Sequence, residues 1–203
     1  MPTVVTEAPS RPASPEPPRK KWTRAECAAL EAMGLLDQQR LELIEGDLIN
    51  KMGKKRPHVD AASLLSGWLI QVFGARFVNP EAPIDVAPED NPTNEPVPDF
   101  IVLKRSFSDF LSATPQPEDL DLVVEIADTT LIFDLTVKAA LYARAHIVES
   151  WVLDVAGRRL IVHRDPQADK FMSIVAYSEH ESVAPLAASG SEFRVADAFP
   201  ASS

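Results

Sequence analysis

Two continuous apolar runs constrain the fold of this chain more than any other feature of its sequence. Residues 100–103 and residues 120–126 are short, rich in apolar and β-branched side chains, and bounded by polar segments. Such runs are typical of central strands covered on both faces. An acid lies at each run, Asp99 just before the first and Glu125 near the end of the second. A carboxylate there is costly unless a metal ion or a lysine compensates it, and a structural ion pair would do so as well.

The remaining pattern predicts helices and strands in mixed order. A Thr-x-x-Glu capping box at Thr23 opens a short helix that ends at Gly34, and residues 41–49 are typical of a β-hairpin. Apolar residues at helical spacing predict a second helix from Pro57 to Gly74. A further helix is predicted at 131–145, and strands at 77–78, 84–86, 150–154, 159–164 and 171–177. The sum is an α/β (α+β) fold with a central mixed sheet flanked by helices and an added N-terminal helix and hairpin.

Composition favours one domain. The chain has 203 residues, of which 45% are hydrophobic. Residues 1–21 contain six prolines and little that is apolar, so we predict a disordered tail there and a single domain over 22–200. No run approaches the roughly 20 apolar residues that cross a bilayer. With no signal-peptide pattern and Cys27 as the only cysteine, a cytoplasmic protein is expected.

The formal net charge of −10 argues against a protein that coats nucleic acid nonspecifically, because neutralising phosphates requires lysine and arginine. A nuclease is still compatible with this charge if a local basic patch binds the backbone. Basic residues cluster at 19–24 and at 51–56. The second cluster is the better candidate because it precedes a predicted helix, although solvated loops would also explain both clusters.

Lys138 is the cation that best fits the two strand acids. It lies on the predicted helix after Glu125, four residues beyond Asp134, so Asp134 shares its face and could orient it. Two carboxylates can hold a divalent cation that activates water, and a lysine can stabilise the negative charge that accumulates during phosphodiester hydrolysis. An ordinary surface pair between Asp134 and Lys138 is the alternative.

The predicted hairpin and the helix after it add two weaker candidates. Glu42, Glu45 and Asp47 cannot all point one way from a hairpin, and Glu42, which lies within the strand pattern, is the best placed to complete the site. His58 lies near a helix start, where it could contact a phosphate or simply cap the helix.

Other chemistries find little support in the sequence. It contains no Gly-x-Ser-x-Gly elbow and no glycine-rich phosphate loop, and its four histidines are too scattered for a zinc motif. A carboxylate pair could serve a glycosidase, but the lysine and the small size of the chain disfavour that class.

In order along the chain, these segments resemble the Uma-type family of restriction endonucleases, within the PD-(D/E)XK nuclease superfamily. Val97-Pro98-Asp99 resembles its PD motif, and residues 123–126 resemble its second acidic strand. The resemblance also covers the hairpin at 41–48, Asp134, Lys138 and residues 141–143 of the helix, and the strand at 149–154. Each segment alone is a weak match, whereas the ordered set is fairly specific.

The resemblance implies the restriction endonuclease-like fold and a metal-dependent endonuclease that hydrolyses DNA. It implies Asp99 and Glu125 as ligands of Mg²⁺, with Mn²⁺ as an alternative ion and the Ile126 carbonyl as a third ligand. Glu42 would match the acid of the family's first motif. The lysine that usually follows the second acid by two residues is replaced by Ala127, and Lys138 would take its place.

Two further expectations follow. Cleaving both strands of a duplex with one site per chain favours a two-fold homodimer. The competing hypothesis is a catalytically inactive binding or assembly module on the same fold. The acidic net charge and the sequence Asp128-Thr129-Thr130, where the family usually has a serine-containing turn, favour that alternative.

Overall fold

The N-terminal part of the fold is a helix followed by a hairpin, as the sequence predicts. The computed structural model describes residues 18–36, 39–51 and 54–200, so most of the predicted tail lies outside the described residues. Helix α1 (Arg24–Ala32) begins with the predicted capping box, in which Thr23 and Glu26 each accept a backbone hydrogen bond from the other. Strands β1 (Leu41–Ile44) and β2 (Asp47–Asn50) pair antiparallel.

Six strands form the main sheet, in the order β3-β4-β5-β6-β7-β8. They are β3 (Val78–Pro80), β4 (Phe100–Leu103), β5 (Leu120–Ala127), β6 (Glu149–Asp154), β7 (Arg159–Gln167) and β8 (Lys170–Ser178). Strands β5 and β6 are parallel, and the other neighbours are antiparallel. The predicted central mixed sheet is therefore confirmed, with both apolar runs as interior strands.

A helical crossover joins the two parallel strands, as parallel pairing requires. It comprises α3 (Leu131–Phe133), a π-helical turn (Asp134–Lys138) and α4 (Ala139–Arg144). The sequence predicts this helix, but its periodicity did not reveal the π turn, a feature often found at functional sites. Among the described residues, no helix is long and apolar enough to cross a membrane.

Apolar layers cover the two faces of the sheet. Helix α2 (Arg56–Phe73), which ends at Gly74 as predicted, packs Leu65 and Leu69 with one set of buried strand residues that includes Val124. Val123 faces the opposite layer, where Leu141 of α4 is buried. Because side chains alternate along a strand, Glu125 projects into that second layer.

Residues 84–86, predicted as a strand, do not form one. Two N–H groups of this segment bond instead to the loop carbonyls of Pro96 and Pro115. The weakly patterned segment after residue 184 contributes to the core, since Phe193 and Val195 are fully buried. Its two strands β9 (Ser182–Val183) and β10 (Phe193–Arg194) are too short to show a period in the sequence.

Candidate active site

Asp99 and Glu125 meet where the ladder between β4 and β5 ends. The outermost pair of that ladder is Phe100 with Val124, and continuing the antiparallel pairing by one residue sets Asp99 opposite Glu125. Beyond that point β5 runs on without β4. Asp99 Oδ2 accepts the Ile126 N–H at 2.8 Å, so a side chain replaces the missing strand partner. The two acids are therefore neighbours because of strand register.

One cavity of about 340 Å³ collects the residues predicted from the sequence. Its lining includes Glu42, His58, Asp99, Glu125, Ile126, Asp134 and Lys138. These residues come from the hairpin, helix α2, the β4–β5 edge and the helical crossover, and the fold brings all of them together.

Lys138 lies at the centre of the acidic side of this cavity. Its Nζ is 3.0 Å from Glu125 Oε1, 2.9 Å from Glu42 Oε2 and 3.9 Å from Asp134 Oδ1, and only 2% of its side chain is exposed. Burial lowers the pKa of Lys138, but the three carboxylates outweigh it and raise the pKa above its usual value. The buried ammonium therefore stays charged.

Glu125 is held by two donors on the same oxygen. Besides Lys138, the Tyr142 hydroxyl donates to Oε1 at 2.6 Å. Burial, with repulsion from Asp134, Glu42 and Asp99, outweighs the attraction of Lys138 and raises the pKa of Glu125 to about 8. Near neutral pH, the positive charge around Glu125 is thus too small to stabilise its anionic form. Sequence reasoning missed Tyr142, although its position four residues after Lys138 was a signal that the two share a helix face.

Asp134 is also buried, beside the ammonium. Thr130, a second residue that sequence reasoning missed, donates from its hydroxyl to Asp134 Oδ2 at 2.5 Å. Burial raises the pKa of Asp134 despite the attraction of Lys138. The four-residue spacing between Thr130 and Asp134 follows the same face of the crossover helix as Lys138 and could have indicated this contact.

A second group of cavity residues is basic and surrounds Asp99. Lys54 Nζ lies 2.8 Å from Asp99 Oδ1, and His58 Nε2 lies 3.3 Å from the same oxygen. Burial raises the pKa of Asp99, but His58, Lys51 and Lys54 outweigh burial and hold it well below its usual value. His58 does not cap α2, whose N-cap residue is Lys55. Sequence reasoning selected the basic cluster but not Lys54 in particular.

Only one of the three hairpin acids reaches the cavity. The Glu45 carboxylate pairs with Arg144 at 2.5 Å, and Asp47 pairs with Lys21 at 2.6 Å. Glu42 is 5% exposed and contacts Lys138. Glu42, the acid that the strand pattern favoured, therefore lines the cavity, whereas Glu45 and Asp47 pair with basic residues outside its lining.

The donor set suits a hard divalent cation that keeps water ligands. Within residues 18–36, 39–51 and 54–200, no three histidine, cysteine, aspartate or glutamate side chains form a preassembled metal cage. Asp99 and Glu125 supply carboxylate oxygens at this cavity, and Ile126 lines it beside them. Mg²⁺ is commonly bound through one or two carboxylates with several waters, so the residues present fit that ion.

The fold and this cavity define a restriction endonuclease-like protein. Residues 26–196 match the Uma2 family, described as "Putative restriction endonuclease". The chain belongs to this family, and membership supports a nuclease function.

A solved structure shares the fold. It is described as "a putative nuclease belonging to DUF820" from Anabaena variabilis ATCC 29413. The two chains are 18% identical, the match covers 78% of this chain and 89% of the other, and the TM-score is 0.60. This structural match confirms the predicted fold class. No curated protein sequence matches the chain.

Proposed function

We propose that this protein is a metal-dependent endonuclease that hydrolyses phosphodiester bonds of DNA. The observation that carries the proposal is the convergence of Asp99, Glu125 and Lys138 on one cavity, with the ammonium 3.0 Å from Glu125. Family membership points to the same chemistry. The carboxylates supply hard oxygen ligands, and the lysine supplies a fixed positive charge beside them.

Asp99, Glu125 and the Ile126 carbonyl would hold Mg²⁺ or Mn²⁺, which when bound would polarise a phosphoryl oxygen and lower the pKa of water. The raised pKa of Glu125 supports this assignment, because its anionic form is short of positive charge. A carboxyl with a pKa of about 8 must lose its proton before it acts as a ligand, so metal binding is expected to release protons near neutral pH.

The chain's own residues prepare this site. Lys138 and Tyr142 fix the orientation of Glu125 through its Oε1 atom. The same ammonium stays charged and lies where negative charge would develop on a phosphate, so its electrostatic stabilisation requires little rearrangement. Glu42 and Asp134 hold Lys138 in place from two other directions.

The basic residues of the cavity support a nucleic-acid substrate. Lys51, Lys54 and Lys55 line the same cavity as the acidic residues. A local group of lysines can neutralise backbone phosphates even though the chain as a whole is acidic. A two-fold dimer would bring two such cavities to one duplex and remains a prediction.

A nuclease assay with a panel of substrates tests this function. Supercoiled plasmid, linear duplex, single-stranded DNA and RNA are each incubated with Mg²⁺, Mn²⁺, Ca²⁺ or EDTA. We expect nicking of DNA with Mg²⁺ and Mn²⁺ and none with EDTA. Protein that binds DNA and metal but cleaves no substrate would contradict the proposal and favour the inactive binding module.

A further inference from the structure

Lys54 pairs with the Asp99 oxygen that the sheet leaves free. The two carboxylate oxygens of Asp99 have different partners: Oδ2 accepts the Ile126 N–H at 2.8 Å, and Oδ1 faces Lys54 Nζ at 2.8 Å. The first partner belongs to the sheet and is fixed by strand geometry. The second is the end of a flexible side chain, so Oδ1 is the oxygen that can exchange its partner.

Lys54 has a second carboxylate partner, Glu81, in addition to Asp99. Its Nζ also lies 2.8 Å from Glu81 Oε1. Because Glu81 already pairs with the ammonium, Lys54 can leave Asp99 and keep one carboxylate partner. Its side chain is 21% exposed whereas that of Asp99 is 5% exposed. Lys54 is therefore the more exposed partner of this ion pair.

Among the described residues, Lys54 is the neighbour that forms a hydrogen-bonded ion pair with this oxygen. His58 Nε2 also lies 3.3 Å from Asp99 Oδ1 and contributes to the low pKa of Asp99, but it makes no hydrogen bond there. Lys55 lines the cavity and forms no ion pair with Asp99. The contact between Lys54 and Asp99 is thus the direct ion pair that a cation at Oδ1 would have to replace.

We propose that Lys54 is an internal counter-ion that a divalent cation displaces from Asp99. The displaced ammonium keeps its contact with Glu81 and becomes available to a DNA phosphate at the cavity. This inference rests on the proposed metal site and adds a competitor for it. Lys54 would then couple the two binding events, since metal binding would free a positive charge for the nucleic acid.

Calorimetric titration with MnCl₂ tests the displacement without any cleavage. The proteins are the wild type, Lys54→Met, Lys55→Met and Asp99→Asn. We expect Lys54→Met to bind Mn²⁺ about tenfold more tightly than the wild type, because no charge-assisted hydrogen bond has to be broken. Lys55→Met makes the same change in charge at the same cavity, and we expect less than about a threefold gain from it.

Thermal unfolding gives a second readout on the same proteins. In EDTA, Lys54→Met should melt below Lys55→Met, because its buried Asp99 carboxylate has lost a counter-ion. Saturating Mn²⁺ should raise the melting temperature of Lys54→Met more than that of the wild type, because tighter binding to the folded state stabilises it further.

The outcomes separate this inference from the function on which it rests. If Asp99→Asn abolishes Mn²⁺ binding while Lys54→Met and Lys55→Met bind equally tightly, the role of Lys54 is refuted and the metal site stands. If Asp99→Asn binds Mn²⁺ as tightly as the wild type, the proposed metal site and the role of Lys54 both fail.

Discussion

Asp99→Asn is expected to lower Mg²⁺-dependent nicking of plasmid DNA at least about 10³-fold while the protein stays folded. The amide retains an oxygen that can accept the Ile126 N–H, so the end of the β4–β5 ladder is preserved. It loses the negative charge that a divalent cation requires. The initial rate of conversion of supercoiled to open-circular plasmid measures the effect, and circular dichroism checks the fold.

Asp109→Asn provides the matched control for this experiment. Asp109 is exposed on a short 3₁₀ helix (Phe107–Phe110) away from the cavity lining, and the substitution makes the same change in charge. We expect it to nick plasmid at the wild-type rate. An Asp99→Asn protein that nicks within threefold of that rate would exclude Asp99 as a metal ligand.

Lys138→Met is expected to lower the free energy of unfolding by about 3–5 kcal/mol at pH 8 in EDTA. Methionine fills a similar volume but leaves the buried carboxylates of Glu42, Glu125 and Asp134 without their shared cation. Unpaired buried charges of this kind are among the most destabilising features a substitution can create. Urea unfolding followed by tryptophan fluorescence measures the loss.

The loss should widen as the pH rises. In the wild type the pKa of Glu125 is about 8 in the fold, against the ordinary value of 4.5. Because the pKa is raised in the fold, the protonated carboxyl of Glu125 stabilises the folded state. This contribution to the free energy of unfolding is fully present below pH 4.5 and is lost as the pH rises through 8. Without Lys138 the pKa of Glu125 rises further, so the variant keeps losing stability relative to the wild type at alkaline pH.

Two comparisons make the Lys138 result specific. Lys170→Met removes an exposed lysine from strand β8 and should change the free energy of unfolding by less than about 0.5 kcal/mol. Adding Glu42→Gln to Lys138→Met removes one of the buried carboxylates left without a cation. This change should recover part of the lost free energy of unfolding. A Lys138→Met protein as stable as Lys170→Met at every pH would contradict the buried network.

Much of the fold was predictable because its signals are local. The capping box at Thr23, the hairpin and the two apolar runs each depend on a few adjacent residues, and all were found where the sequence predicts them. The prediction for residues 84–86 was wrong because Ile84 and Val86 are buried in the apolar layer that contains Val123 without pairing in a sheet, and the sequence pattern is the same in both cases. The C-terminal segment is buried by contacts with α2 and the sheet. These contacts produce no periodic pattern of apolar residues in its sequence.

The candidate site was only partly predictable, because only some of its residues have a local signal in the sequence. Asp99 is unusual in sequence because it directly precedes an apolar strand, and Glu125 because it interrupts one. Lys138 is unusual because of its helix position. Tyr142 carries only the weak signal of its spacing from Lys138, and Lys54 carries none. Their importance comes from distances of 2.8 Å from Lys54 to Asp99 and 2.6 Å from Tyr142 to Glu125. Sequence reasoning could select the basic cluster but could not rank its members.

If Asp99 and Glu125 jointly hold the divalent cation on which cleavage depends, anomalous diffraction from crystals soaked in MnCl₂ will locate that ion. We expect one strong manganese peak between the two carboxylates, about 2.0–2.4 Å from an oxygen of each, with Lys54 moved away from Asp99. Manganese bound only outside the cavity would contradict the proposed metal site. So would a cavity with no peak at saturating Mn²⁺ and an unchanged contact between Lys54 and Asp99.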